Sequence, residues 1–217
     1  MPNVIAVVGP FRSGTSCVAG ILHTLGVSMG RYFPPSAPAN QKGFYEAVNL
    51  RKICTQMYPD ITAETLSSPM DFNTRVALLQ QHIDFRKNDS DPLGVKHPAL
   101  CLMVPEMAEA WPGVKVVSVS RDIESVIESM GQPRLFPRLT VEQRRMIVER
   151  MVNTRDEAIT SQGIATIRLQ YNDVLSNPAE TVSNLIAFCG INPAQDKIDA
   201  AVAFVDSNLC HHEVTNG

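Results

Sequence analysis

Apolar positions along the chain follow two alternating patterns. Short, β-branched runs occur at Asn3–Val8 (NVIAVV), Leu93–His97, Val114–Val119 (VKVVSV) and Ile164–Leu169. Runs this brief and this apolar predict buried strands of a parallel sheet. Between them the apolar residues recur at helical spacing. Val18, Ile21, Leu22 and Leu25 form one stripe that stops at Gly26, and Val76, Leu79 and Ile83 form another within Phe72–Lys87. Helices are also predicted over Glu46–Met57, Leu100–Ala110, Ile123–Met130, Val141–Ser161, Pro178–Cys189 and Pro193–Val205. Strands alternating with helices predict an α/β fold, three-layered α/β/α around a mostly parallel central sheet.

Stretches rich in proline and glycine at 28–43, 59–69 and 131–139 read as loops. The chain of 217 residues suits one domain, residues 1–217, with a mobile loop and helical segment at about 131–162. A net charge of −3 gives no bulk attraction to nucleic acid, so no nucleic-acid partner is expected. No run approaches the roughly 18 apolar residues of a membrane-spanning helix, so no membrane insertion is expected. The opening MPNVIAVVGPFRSG lacks the basic leading segment of a signal peptide. Five widely spaced cysteines, an odd number, argue against a disulfide framework and predict a cytoplasmic location. Cys210-His211-His212 reads as a surface tail rather than a metal site, and no metal is expected anywhere.

The chemistry concentrates after the first strand, in Gly9-Pro10-Phe11-Arg12-Ser13-Gly14-Thr15-Ser16. A glycine turn between a buried strand and a helix gathers backbone N–H groups and the positive helix end on one anion. Arg12 adds a planar cation suited to phosphate oxygens, and Thr15 and Ser16 add hydroxyls. The two glycines match the spacing of the nucleotide-triphosphatase loop G-x-x-x-x-G-K-[ST], and the fold expected is of that P-loop kind. Thr15, however, stands where the lysine for the β- and γ-phosphates would be. The loop is therefore built for an anion other than a magnesium triphosphate.

A second anchor follows the strand Val114–Val119, in Ser120-Arg121-Asp122. Ligands of open α/β sheets bind beyond the carboxyl ends of strands, where Arg121 lies. Ser129 comes eight residues later and shares a helix face with Ser125.

Together these segments resemble the PAPS-dependent sulfotransferases, in particular the bacterial and Golgi-like branch. The loop is similar to that family's 5′-phosphosulfate loop, with core R-S-G-T-[ST]. Arg121 through Ser129 is similar to its 3′-phosphate motif. Gly43-Phe44-Tyr45-Glu46, Val95-Lys96-His97-Pro98, and Tyr171-Asn172-Asp173-Val174-Leu175 with Asn177-Pro178 and Phe188-Cys189-Gly190-Ile191 resemble further family segments. Two departures are visible. Ile123 stands where the family usually has proline, and the C-terminal basic-glycine segment of cytosolic animal members is missing.

The resemblance implies transfer of a sulfuryl group from 3′-phosphoadenosine 5′-phosphosulfate (PAPS) to an acceptor hydroxyl or amine, leaving 3′-phosphoadenosine 5′-phosphate (PAP). It implies that Arg12, Ser13, Gly14, Thr15, Ser16, Arg121, Ser129 and Tyr171 hold the nucleotide. Arg12 and Lys96 would stabilise charge on the leaving oxygen. Glu46 or His97 would take the acceptor proton, Glu46 if an apolar pocket beside Phe44 and Tyr45 raises its pKa. Arg134, Arg138, Arg144 and Arg145 either line the mouth of the site or form a solvated face. The acceptor is not readable, but Phe33, Phe44, Tyr45, Tyr58, Phe72 and Phe136 lie on loops that would shape its pocket. A P-loop kinase or hydrolase, or a non-catalytic protein on the same scaffold, are the competing readings.

Overall fold

The computed structural model describes residues 2–32, 43–61, 66–131, 136 and 138–205. Four strands, β1 (Val4–Val8), β2 (Leu93–Lys96), β3 (Lys115–Ser120) and β4 (Thr166–Gln170), form one sheet in the order β2-β1-β3-β4. Every pairing in it is parallel. The connections carry α1 (Thr15–Thr24), α2 (Val48–Met57), α3 (Phe72–Phe85), α4 (Val104–Ala110), α5 (Ile123–Met130) and α6 (Val141–Gln162). After β4 come α7 (Tyr171–Ser176), α8 (Pro178–Cys189) and α9 (Gln195–Phe204).

The two-residue period of a strand sorts β1 into two cores. Val4, Ala6 and Val8 face a cluster with Leu50, Leu79, Met107 and Met151, from α2, α3, α4 and α6. Ile5 and Val7 face a second cluster with Val18, Leu22, Leu185 and Ala201, from α1, α8 and α9. All five β1 residues are buried, which is why that strand reads as a continuous apolar run rather than an alternating one. Each such side chain contributes roughly 1.5–3 kcal/mol on burial, so a polar residue in β1 would not be tolerated.

Two local expectations are corrected. The helix expected from Leu100 begins as a 3₁₀ turn, Pro98–Leu102, and α4 restarts at Val104 after a break at Met103. Pro105 has no N–H to donate back to Cys101, so one continuous α-helix cannot run through this stretch. The His97 ring also fixes the start of the turn, because its Nδ1 accepts from the Ala99 N–H at 3.2 Å. The short helix α7 was not expected; at six residues it is too brief to show a period. Residues 33–42, 62–65, 132–135, 137 and 206–217 lie outside the described residues. With them go the expectations for Phe33, Pro34, Pro35, Pro38, Pro133, Arg134, Pro137 and Cys210-His211-His212. Among the described residues, no helix is long and apolar enough to cross a membrane.

What matters for function is register. Val7 pairs with Lys96, Val8 with Ser118, and Ser120 with Gln170. The carboxyl ends of all four strands therefore finish at one edge of the sheet. Residues that directly follow each strand, Gly9, His97, Arg121 and Tyr171, meet there.

Candidate functional site

The glycine loop connects β1 to α1 with two left-handed residues, Arg12 (φ 60) and Gly14 (φ 92). Such a conformation is strained for arginine, and strain of this kind collects at ligand loops. Gly14 must be glycine for a further reason: a Cβ there would run into the ring of Tyr171. Gly9 is equally constrained, since its Cβ would lie 2.5 Å from the Val119 carbonyl oxygen of β3. Ser13 is fully buried, and its Oγ donates to the Pro10 carbonyl at 2.8 Å, bracing the turn from inside. No side chain caps α1 and no acidic residue sits in its first turn. Its leading N–H groups, with the hydroxyls of Thr15 and Ser16, are thus left for an anion.

On the β3 side, Arg12 Nε donates to Ser129 Oγ at 2.8 Å, across 117 residues of sequence. Arg121 Nη1 reaches the Arg12 carbonyl at 3.4 Å, and its guanidinium lies 5.5 Å from the centre of the Tyr171 ring. The buried Arg121 Nε has no hydrogen-bond partner. Neither arginine has a carboxylate in ion-pair contact among the described residues. The adjacent Asp122 is turned away, accepting from Ser125 N and Oγ at 2.9 Å to cap α5. Ser125 therefore serves the helix end, while Ser129 alone of the two serines faces the loop. Burial, and then the charge of Arg121, lower the Arg12 pKa from its ordinary value. Two crowded, uncompensated cations are a site waiting for negative charge.

The β2 side is organised differently. Lys96, the last residue of β2, is buried, and its Nζ donates to Glu46 Oε1 at 2.7 Å and to Ser16 Oγ at 3.3 Å. Glu46 precedes α2. Burial would push its carboxyl up, but Lys96, with His97 and Arg51 behind it, holds it below the ordinary carboxylate value. The condition of a raised pKa is therefore not met, because a buried ammonium touches the carboxyl. The pocket expected to raise it is also incomplete: Tyr45 turns towards α1 and α9, packed with Tyr32 at 5.0 Å and Phe204 at 6.3 Å. His97 lies just past the strand end, its backbone still extended (φ −160, ψ 142). Burial first, with Lys96 and Arg51 opposing Glu46, lowers it to about 4. It is a neutral imidazole near pH 7, and with Nδ1 accepting from Ala99 its proton sits on Nε2.

A family model of the sulfotransferases matches residues 2–196. The chain belongs to the sulfotransferase family. No curated protein sequence matches it. Among solved structures, the fold is similar to sulfotransferase STF9 from Mycobacterium avium, with TM-score 0.65 and 12% identity, over 93% of this chain and 67% of that one. It is also similar to sulfotransferase STF1 from Mycobacterium tuberculosis H37Rv, with TM-score 0.56 and 13% identity, over 94% and 71%. A sulfotransferase domain from the curacin biosynthetic pathway gives TM-score 0.55 and 16% identity, over 91% and 77%. At these identities the likeness establishes the fold, and the family carries sulfuryl transfer as the general chemistry.

The other expected residues of this sulfotransferase divide between the fold, the surface and the edge of the loop. Arg144 Nη1 donates to the Ile127 carbonyl at 2.9 Å, closing the carboxyl end of α5. Arg145 forms a fork on Glu124 at 2.6 and 2.7 Å on the surface, and Arg138 is exposed. Phe136 packs edge-on against Phe11 at 5.0 Å, beside the loop. Phe72 is exposed, whereas Tyr58 is buried with its hydroxyl on the Leu102 carbonyl at 3.2 Å. Among the described residues, no group of three or more His, Cys, Asp or Glu is arranged to hold a metal.

One residue was missed. Arg155, in the middle of α6, is buried and donates to the Val119 carbonyl and Ser120 Oγ at the end of β3, each at 3.1 Å. In sequence it is one charge among many on a polar helix, and only the fold shows which way it faces.

Proposed function

We propose that this sulfotransferase uses PAPS as donor and passes its sulfuryl group to a hydroxyl or amine of an acceptor. The observation that carries this reading is the pair Arg12 and Arg121, adjacent and without a carboxylate, at the open end of an uncapped helix. A nucleotide with phosphate at both ends fits that charge pattern. The loop N–H groups, Thr15 and Ser16 would hold its 5′ end, and Arg121 with Ser129 its 3′ end. Tyr171, packed between Gly14 and Arg121, would form the wall joining the two. Asp122, which follows the end of β3 where a magnesium-binding aspartate would be sought, caps α5 instead of facing the cleft, which speaks against a magnesium triphosphate.

In the transfer, the acceptor atom bonds to sulfur as the bond from sulfur to the bridging oxygen breaks. The acceptor proton goes to a base, and the electron pair leaves on the nucleotide's 5′-phosphate. Positioning and charge stabilisation supply most of the catalysis in such loose transfers. Arg12 and Lys96 flank the loop from opposite sides and are assigned to the leaving oxygen. Glu46 is assigned as base for its position beside Lys96 and its charged form, although Lys96 lowers rather than raises its pKa. It is a carboxylate near pH 7, whereas His97 has Nδ1 engaged and its proton on Nε2, so the ring would have to change tautomer first.

Calorimetric titration tests the donor assignment. PAP in the presence of EDTA is expected to bind saturably, and ATP with magnesium to bind far more weakly. The opposite order would transfer the chain to the kinase or hydrolase reading.

A further inference from the structure

We infer that Arg155 is a positioning residue that sets the selectivity of the site for a nucleotide carrying a 3′-phosphate; this rests on the nucleotide reading above. The side chain is fully buried, although it carries a charge. Each of its nitrogens has a partner: Nε donates to Asp156 Oδ1 at 3.0 Å, Nη1 to the Val119 carbonyl at 3.1 Å, and Nη2 to Ser120 Oγ and Asp156 Oδ2, both at 3.1 Å. Asp156 is held in turn by Arg168 of β4, at 2.7 Å. The guanidinium thus pins α6 to the end of β3, and through Asp156 to β4.

The place it pins is the one on which the cations depend. Val119 O also bounds Gly9, the first residue of the loop, at the spot a Cβ would occupy. That carbonyl is clasped between the loop on one side and Arg155 on the other. Ser120 is followed directly by Arg121, which reaches back to Arg12. Arg155 therefore fixes the peptide from which Arg121 projects, without touching the cleft. A planar fork is needed here: lysine would keep the charge beside Asp156 but cannot span a carbonyl and a hydroxyl together. Small shifts in a supporting residue are amplified at a charged site, because the grip is geometric.

The test compares PAP with adenosine 5′-phosphate, which lacks only the 3′-phosphate, in the wild type, Arg155→Lys and Arg168→Gln. The wild type is expected to prefer PAP strongly. Arg155→Lys should weaken PAP binding about tenfold and change adenosine 5′-phosphate binding less than about twofold, collapsing the ratio. Arg168→Gln removes the outer, exposed partner of Asp156 and should leave the ratio unchanged. Ser120→Ala takes away one acceptor of the fork without opening the core, and should lower the ratio in the same direction should Arg155→Lys fail to fold. A wild-type ratio kept by both Arg155→Lys and Ser120→Ala, with only Tm lowered, would reduce Arg155 to a purely structural role. A wild type that does not distinguish the two nucleotides would overturn the nucleotide reading itself, and this inference with it.

Discussion

At the β3 end of the site two arginines stand side by side with no carboxylate in contact. At the β2 end, some strand widths away, a buried lysine already touches its own glutamate at 2.7 Å. Both ends close the same sheet edge, and both place a cation beside the glycine loop. The difference lies in what each lacks. Arg12 and Arg121 are short of negative charge, so a ligand anion completes them. Lys96 and Glu46 already pair with each other, so this end is close to charge-neutral before a ligand arrives and holds a proton acceptor in its charged form. One end is suited to gripping a polyanion and the other to handling the proton of a neutral group.

The largest way to break this contrast is to empty the β3 end. Arg12→Ala and Arg121→Ala should each weaken PAP binding at least about tenfold, and together about a hundredfold, since each charge-assisted contact is worth roughly 1.5–3 kcal/mol. Because both cations are uncompensated in the free protein, Tm should hardly move. Unaltered affinity in calorimetry would remove the site assignment.

The β2 end should respond the other way round. Glu46→Gln leaves Lys96 buried without its counter-charge and should cost about 3–5 kcal/mol of stability, while PAP affinity stays close to wild type. It should also abolish most turnover in a transfer assay, and His97→Gln should not. Turnover lost only in His97→Gln would move the base to the imidazole.

The smallest effect sharpens the picture of charge at the two ends. His97 is depressed to about 4, first by burial, and His82 of α3 to about 3, by burial and then by Arg86. Both are neutral in the folded chain and ordinary in the unfolded one, whose value is 6.5. The unfolded state then binds more protons as pH falls below 6.5, so stability is fully present above that value and declines towards 4. Between pH 7 and 6 the loss should be about 0.7 kcal/mol for each histidine. Neither ring nitrogen of His82 has a hydrogen-bond partner, so His82→Leu should remove its share of the slope without harm. Denaturant midpoints measured against pH would show it; an unchanged slope in His82→Leu would mean that histidine is already charged when folded.

Much of this arrangement is legible in the sequence alone. The four apolar runs gave the strands, because a strand buried on both faces has no competing pattern of that length. The glycine spacing gave the loop, and Arg121 was placed by the rule that ligands gather beyond strand ends. Charge pairing was less readable. Glu46 and Lys96 are 50 residues apart and meet only because β1 and β2 end together, so the direction of the Glu46 shift could not be read from its apolar neighbours. Arg155 was invisible for a related reason: α6 carries charges on most of its surface, and the one turned inward has no local mark. The break before α4 was readable in principle, from Pro98 and Pro105 bracketing Met103, but the apolar spacing of Leu100–Ala110 outweighed it.

Tyr171 against Gly14 has a consequence for assembly. The first loop of the chain is walled by a ring that arrives only after the last strand has been laid down. A nascent or partly unravelled chain therefore owns the loop sequence but not the cradle. Under the proposed function, nucleotide would recognise only the finished sheet, and at a hundredfold excess over its dissociation constant would shift the folding equilibrium by about 2.7 kcal/mol. Donor supply and the lifetime of the folded chain would then be coupled through that one aromatic contact.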